Sequence, residues 1–183
     1  VYHLKYAQGG EVSVGVQIDF SPALRGESVF IMPRAIPMGY SNVHYDRYVE
    51  NLQVFDSDGD SLRVERTEGP RWNIGGESKS IRRLTYSVDI AAMEQGLYSA
   101  ADASKVRPGY IGLLGYSVFG FVEGQNEREI VLKISGPQDW PLFSTLSPQA
   151  FGAAGEISVD AENFYDLADS QAVSYTHLRA HET

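Results

Sequence analysis

The 183-residue chain contains no cysteine and only four histidines. Without cysteine it cannot form disulfides, thiolate metal sites or a cysteine nucleophile. It also lacks any run of about 18 apolar residues, so the sequence predicts no membrane span. Basic residues number 15 and acidic residues 24, which gives a formal net charge of −9. Because nucleic-acid binding requires a basic face, this balance argues against a nucleic-acid partner.

The final segment, residues 173–183, reads VSYTHLRAHET. It matches, residue for residue, one reading frame of a transposase adapter used in DNA sequencing libraries, and segments of such origin are excluded from fold reasoning. We therefore predict that residues 173–183 are an adapter artefact without ordered structure. The spacing of His177 and His181 would otherwise suggest a zinc pair on a helix. With His177 and His181 set aside as part of the adapter segment, His3 and His44 are the only histidines left as candidate ligands.

Short stretches of alternating apolar and polar residues dominate the rest of the chain. Examples are Val12–Ile18, Leu84–Ile90 and Ile130–Ile134. Such alternation places one face of a strand on a core and the other in water, as in antiparallel sheets. The stretches are short and separated by Gly- and Pro-containing turns. The sequence therefore predicts a mainly β fold, either an antiparallel β-sandwich or a saddle-like curved sheet, with one or two short helices.

Local patterns predict four further features. Residues 48–66 should form a β-hairpin around the loop DSDGD. The apolar, glycine-punctuated segment Gly109–Val122 should form a pair of buried strands, since it is too short to span a bilayer. A helix is favoured at Asp160–Asp169, with Asp160 as its N-cap. The simplest division is an N-terminal β domain at residues 1–151, followed by a connecting segment at residues 152–172.

Two groups of residues have both a structural and a ligand-binding interpretation. Asp56, Asp58 and Asp60 alternate as calcium ligands do, but the chain lacks the Gly and Glu that an EF-hand loop requires, so a solvated turn is favoured. Trp72 and Trp140 each follow a Gly-Pro turn. We expect both rings to fill the core at strand ends, because a carbohydrate-binding platform would need them exposed.

The segment Ile31–Tyr40, IMPRAIPMGY, is the most unusual part of the chain. Pro33 and Pro37 each remove an amide donor, so they should break the preceding strand and form an extended loop. Tyr40, Tyr45 and Tyr48 follow closely. Tyrosine combines an apolar ring with a polar tip, so these residues either line a binding cleft or cap one end of the core.

Taken together, the ordered motifs resemble the N-terminal domain of the glycyl-aminopeptidase family of zinc metallopeptidases, peptidase family sixty-one. The motifs that carry the resemblance are Met32–Tyr40, Tyr45–Val49, Gly69–Trp72, Tyr86–Val88, Trp140 with Ser144–Leu146, and Asn163–Ser170. Many family members carry Trp-x-Pro-Gly-Ser-Tyr at the first of these. Here the corresponding residues are Ala35–Tyr40, which keep the Pro-x-x-Tyr spacing but lack the Trp.

The resemblance implies a non-catalytic β domain that precedes a thermolysin-like catalytic domain. Zinc would be held in that second domain by an H-E-x-x-H helix, so no catalytic, cofactor or metal residue is expected in this chain. The intact parent would be a zinc-dependent metallo-aminopeptidase acting on peptides, in either the periplasm or the cytoplasm. Residues expected to contact the cleft or the catalytic domain are Pro33, Pro37, Tyr40 and Tyr165. A free-standing β-sandwich module for a carbohydrate or protein ligand is the alternative.

Overall fold

The computed structural model describes residues 1–6, 13–34, 42–97, 99–137, 140–146, 151–152 and 156–175. It confirms the mainly β fold. The strands are β1 Tyr2–Lys5, β2 Ser13–Arg25, β3 Ser28–Ile31, β4 Val49–Phe55, β5 Arg63–Arg66, β6 Arg71–Gly75, β7 Ser80–Asp89, β8 Lys105–Arg107, β9 Tyr110–Leu114, β10 Phe121–Val122, β11 Ile130–Ser135, β12 Leu142–Ser144, β13 Phe151–Gly152, β14 Glu156–Ala161 and β15 Gln171–Tyr175. The helices are α1 Ile90–Gly96, α2 Gly115–Val118 and α3 Phe164–Asp169, with 3-10 turns at Tyr45–Tyr48 and Ala100–Asp102.

The strands form three sheets. The six-stranded sheet has the order β14-β11-β1-β2-β7-β4, the four-stranded sheet β10-β3-β6-β5, and the five-stranded sheet β13-β12-β15-β9-β8. Strands β1 and β11 run parallel, and the other pairings are antiparallel. Alternation along the sequence predicts the buried face of the strands where it was identified, as in β11, where Ile130, Leu132 and Ile134 are buried.

The core lies between the six-stranded sheet and the two smaller sheets. The ring of Tyr86 on β7 lies 5.2 Å from that of Phe30 on β3. The Tyr86 hydroxyl donates to the Val118 carbonyl at 2.9 Å and accepts from the Gly120 amide at 2.9 Å. Tyr2 on β1 donates to the Gly120 carbonyl at 3.0 Å. These buried bonds fix the segment after α2 against the six-stranded sheet, since a buried polar group without a partner is costly.

The predicted hairpin at residues 48–66 is divided between two sheets. Strand β4 pairs with β7 in the six-stranded sheet, whereas β5 pairs with β6 in the four-stranded sheet. The Phe55–Ser61 bridge holds the two strands together at the loop. Within that loop, Asp56 is buried, accepts from the amides of Asp58 and Asp60, and pairs with Lys79 at 2.7 Å. The sequence favours a solvated turn here. Asp58 and Asp60 are exposed as that prediction requires, whereas Asp56 is buried.

The structure also differs from the prediction of two strands at residues 109–122. Only β9 and the two-residue β10 are strands, and the helical turn α2 lies between them. Gly115 permits α2 to approach α3 closely, because a Cβ at that position would lie 2.2 Å from the Leu167 carbonyl oxygen. A side chain there would collide with the backbone of α3.

The sequence predicts a connecting segment at residues 152–172, whereas the structure contains β14, α3 and part of β15 there. Strand β14 pairs with β11, and β15 lies between β12 and β9. Residues 156–172 are therefore integral to the fold. Val173–Tyr175 complete β15, contrary to the expectation of disorder for 173–183, and residues 176–183 lie outside the described part of the chain.

Helix α3 begins later than the sequence predicts. Its N-cap is Asn163 rather than Asp160, and the Asn163 side chain accepts from the amides of Tyr165 and Asp166 at 2.8 and 3.1 Å. Asp160 instead lies on β14, which carries the chain up to this cap. None of the helices in the described ranges is long and apolar enough to cross a bilayer.

Candidate domain-contact site

The structure describes two of the four residues predicted to contact the cleft or another domain. Pro33 follows β3 directly after the buried Met32 and is partly buried, which confirms that the strand ends at the first proline. Tyr165 lies on α3 with its side chain 63% exposed. Pro37 and Tyr40 lie outside the described residues. Pro33 and Tyr165 lie on separate elements.

A chain of contacts connects those elements. Ile31 at the end of β3 pairs with Phe121 on β10. The ring of Phe121 lies 4.5 Å from that of Phe164, the first residue of α3. Phe121 therefore neighbours both the end of β3 and the start of α3. Pro33 lies two residues after Ile31, and Tyr165 directly follows Phe164.

The backbone joins the two residues that flank positions 35–42. The Val43 amide donates to the Arg34 carbonyl at 2.7 Å. Arg34 and Val43 are therefore neighbours in space although eight residues separate them in the sequence.

A buried carboxylate also holds Arg34. Asp46, fully buried in the 3-10 turn, accepts from Arg34 Nε at 2.8 Å and from Arg34 Nη2 at 2.9 Å. Arg66 Nη2 on β5 donates to the same carboxylate at 2.8 Å. A bidentate arginine–carboxylate pair is a strong and directional contact. Arg34, Asp46 and Arg66, here called the Asp46 clamp, thus join three chain segments.

The clamp also sets the charge state of Asp46. Burial alone raises the pKa of this carboxyl, but the hydrogen bonds and charge of Arg34 and the charge of Arg66 outweigh burial, so its pKa lies below the ordinary value of 3.8. Arg66 in turn lies over the ring of Trp72 at 4.9 Å from its centroid, a cation–π contact. Trp72 is only 5% exposed, as predicted for a ring that fills the core.

Sequence reasoning missed the clamp. Its three members are distant in sequence, and only the Arg34 and Asp46 positions fall within the quoted motifs. A weak signal was available in Asp46, because a carboxylate flanked by Tyr45 and Arg47 in an apolar, aromatic stretch requires a cationic partner if it is buried.

Tyr45 has a structural role and does not line a cleft. It is fully buried, its hydroxyl donates to the Asp102 carbonyl at 2.8 Å, and its ring lies 5.7 Å from that of Tyr116. Burial raises the pKa of this phenol well above its ordinary value, so it stays neutral. Of the two interpretations for the tyrosines, the structure therefore supports packing at Tyr45.

Beside Tyr165, an acidic groove of about 680 Å³ lies between β11, β14 and α3. Its charged lining residues are Glu129, Asp160, Glu162 and Asp166. Tyr165 directly precedes Asp166 of the groove lining, and its hydroxyl accepts from Asn126 Nδ2 at 3.4 Å. The exposed ring and the groove are thus adjacent along α3.

A comparison with protein families decides the identity of this fold. The model described as the Peptidase M61 N-terminal domain matches residues 1–170. The chain belongs to this family. As in the resemblance drawn from the motifs, the family is a peptidase family, and the matched part is its N-terminal domain.

A solved structure supports the fold. An aminopeptidase N family protein from Idiomarina loihiensis superimposes with a TM-score of 0.73 at 16% sequence identity, covering 100% of this chain and 31% of that chain. The M61 N-terminal domain thus corresponds to about a third of that protein's length. A search of curated proteins finds no match.

The described residues of this M61 N-terminal domain do not fit a zinc site. His3 Nε2 lies 3.0 Å from Asp19 Oδ2, and His44 precedes the 3-10 turn. In the described ranges, no group of three His, Asp, Glu or Cys side chains is arranged to hold a metal. No catalytic step through zinc is assigned to these residues.

Proposed function

We propose that this M61 N-terminal domain is the non-catalytic β domain of a zinc-dependent metallo-aminopeptidase. In this proposal it packs on a thermolysin-like catalytic domain and forms one wall of the peptide-binding cleft. The observation that carries the proposal is the family match over residues 1–170. The aminopeptidase-like neighbour supports it, because most of that protein lies outside the part that this chain covers.

In this proposal, residues of this chain position the peptide and exclude water from the cleft. The Asp46 clamp joins Arg34 and Asp46, which flank the segment that contains Pro37 and Tyr40, and fixed flanking residues lower the conformational entropy that a segment loses on binding. Tyr165 offers an exposed ring and a hydroxyl beside the acidic groove. Carboxylates in that groove would favour a cationic group, such as the free amino terminus of a peptide.

The test compares the complete protein, translated from the uninterrupted natural gene, with the 183-residue chain alone. Hydrolysis of aminoacyl p-nitroanilides is measured with and without a chelator. We expect chelator-sensitive hydrolysis by the complete protein and none by the 183-residue chain. Chelator-sensitive hydrolysis by the 183-residue chain would contradict the proposal. A natural gene that ends shortly after residue 172 would instead support the free-standing binding module, although both tryptophans are 5% exposed and neither offers a carbohydrate platform.

Tyr165→Ala in the complete protein tests the cleft wall. We expect the KM for a peptide substrate to rise about three- to tenfold with kcat nearly unchanged, because removal of a uniform binding contact raises KM alone. Asp58→Ala, at the exposed tip of the β4–β5 loop, is the control and should leave both constants unchanged. An unchanged KM in Tyr165→Ala would remove Tyr165 from the cleft.

A further inference from the structure

The central strands of the five-stranded sheet contain no charged side chain. Strands β12 and β9 read LFS and YIGLL, and β15 between them begins with Gln171 and Ala172. Charged residues make up 21% of the whole chain, and each strand of the six-stranded sheet contains at least one. Three adjacent strands without charge are therefore unusual within this molecule.

One face of these three strands packs into the core. Leu142 on β12 and Ile111 and Leu113 on β9 are almost completely buried. The other face, here called the outer face of the five-stranded sheet, presents Phe143 and Tyr110, which are 40% and 38% exposed. A sheet that is apolar on both faces is typical of one covered on both sides.

Phe143 and Tyr110 lie on the same outer face, on either side of β15. Phe143 and Gly112 both pair with position 173 of that strand. The ring of Tyr110 lies across Gly112, because a Cβ at Gly112 would meet the Tyr110 hydroxyl at 2.4 Å. With strands about 4.8 Å apart, Phe143 and the Tyr110 ring lie about 10 Å from each other across β15.

A shallow groove of about 120 Å³ extends the apolar row toward the sheet edge. It is lined by residues such as Ala101, Ala103, Tyr110, Gly112 and Leu114, with Lys105 as its charged member. A contiguous apolar surface with a groove is the kind of surface that protein–protein contacts use.

The topology indicates what covers this face. The family match ends at residue 170, and β15 begins at Gln171 as the middle strand of the sheet. In a longer M61 polypeptide, the segment after the N-terminal domain therefore starts within this sheet. A domain attached at that point has a high effective concentration at the outer face, whereas a separate partner does not.

From this geometry we infer that the outer face of the five-stranded sheet, centred on Phe143 and Tyr110, is the surface that docks on the following domain of the same M61 polypeptide. The inference rests on the proposed function for the existence of that domain. It assigns the contact to a face that the sequence motifs did not include. Phe143 and Tyr110 both lie within the part matched by the family model.

The test measures solvent access in the complete protein. Because the chain has no cysteine, single variants Phe143→Cys, Tyr110→Cys and Gln53→Cys each introduce one thiol into this domain. Gln53 is the control, since it is exposed on β4 at the edge of the six-stranded sheet. Alkylation of each peptide is followed by mass spectrometry, which separates these thiols from any in the following domain.

We expect alkylation at positions 143 and 110 to be at least tenfold slower than at position 53 in the native protein, and equal in urea. Equal native rates would overturn the inference. Slow rates that become fast on dilution would also overturn it, because they would show that a second copy covers the face. Peptidase activity of the same samples tests the proposed function independently, since an active protein with an accessible Phe143→Cys thiol refutes only the docking surface.

Hydroxyl-radical footprinting of the unmodified complete protein covers the case in which a cysteine variant does not fold. The dilute 183-residue chain, in which Phe143 and Tyr110 are 40% and 38% exposed, is the reference. We expect oxidation of Phe143 and Tyr110 to be at least fivefold slower in the complete protein than in the 183-residue chain. Protection of Tyr165 with free oxidation of Phe143 would place the docking surface on α3 and overturn the inference.

Discussion

On the outer faces of the six-stranded and five-stranded sheets, side chains paired between neighbouring strands form a row across the sheet. The two rows differ in polarity. In register, the first row consists of Ser158, Lys133, His3, Gln17, Thr85 and Gln53. The second consists of Phe143, Val173, Gly112 and Lys105. The first row is polar throughout, and the second becomes polar only at its edge strand.

Both sheets pack their other face on the same core, so the difference lies only in what the outer faces meet. Exposed apolar side chains do occur on the six-stranded sheet, where Val1 and Val131 are 42% and 37% exposed. There Val131 pairs with Asp160, and the Val1 carbonyl accepts from the Asp19 amide. On the five-stranded sheet Tyr110 pairs with Arg107 of the edge strand β8, whereas Phe143 has no charged partner on β15. A polar outer face is stable in water, whereas a contiguous apolar one gains free energy when it is covered.

The largest expected effect comes from breaking the core that both sheets share. Gly120→Ala would place a Cβ 2.3 Å from the Phe30 ring and 2.8 Å from the Ile31 carbonyl oxygen. Backbone on one side prevents relaxation, so we expect a loss of about 3 kcal/mol in the free energy of unfolding, the upper end for overpacking. Urea denaturation followed by circular dichroism measures it.

Gly76→Ala is the matched control for that substitution. No atom lies within 4 Å of a Cβ at Gly76, so its free energy of unfolding should change by less than about 0.5 kcal/mol. Equal losses in the two variants would mean that the segment after α2 does not pack between the sheets as described.

The second prediction compares how much a buried ion pair and the exposed ion pairs of the polar face contribute to the free energy of unfolding. Asp46→Asn leaves Arg34 and Arg66 without their carboxylate, and we expect a loss of about 2 kcal/mol, below the usual cost of breaking a buried pair because both arginines reach water. Asp19→Asn, which removes the partner of His3 and Arg83 on the outer face of the six-stranded sheet, should cost less than about 1 kcal/mol.

The pH dependence of Asp46→Asn follows from the lowered pKa of Asp46. A carboxyl whose pKa is lower in the folded than in the unfolded state contributes stability above its unfolded value, and that contribution is lost as the pH falls through its folded value. The unfolded value is near 3.8. The stability difference between the parent chain and Asp46→Asn should therefore be constant above about pH 5 and shrink below 3.8. A difference that grows on acidification would contradict the clamp.

The sequence predicted local periodicity well and long-range pairing poorly. Alternation in β2, β7 and β11 shows which side chains face the core, because that depends only on neighbours two residues away. It does not show that β4 and β5 lie in different sheets, or that β1 runs parallel to β11, since pairing depends on contacts between distant residues. The Asp46 clamp was missed for the same reason.

The uncharged outer face was visible in the sequence but not recognised. Its strands are short, and Gly112 interrupts the alternation of β9, so no period-two signal stands out. Setting residues 173–183 aside also removed most of β15, the strand that places Phe143 and Tyr110 on one surface. The sheet partners, rather than the local pattern, bring these side chains together.

The smallest effect on stability, and the most direct test of the two rows, comes from Phe143→Ser. The side chain is 40% exposed, so its removal should lower the free energy of unfolding by less than about 1 kcal/mol. An uncovered apolar face favours association between chains, so light scattering of this 183-residue chain should fall severalfold in the variant at equal concentration. Gln53→Ser, the same replacement on the polar row, should leave scattering unchanged. If both variants scatter like the parent chain, the apolar row does not differ from the polar row in its behaviour toward other protein surfaces, and the docking surface must lie elsewhere.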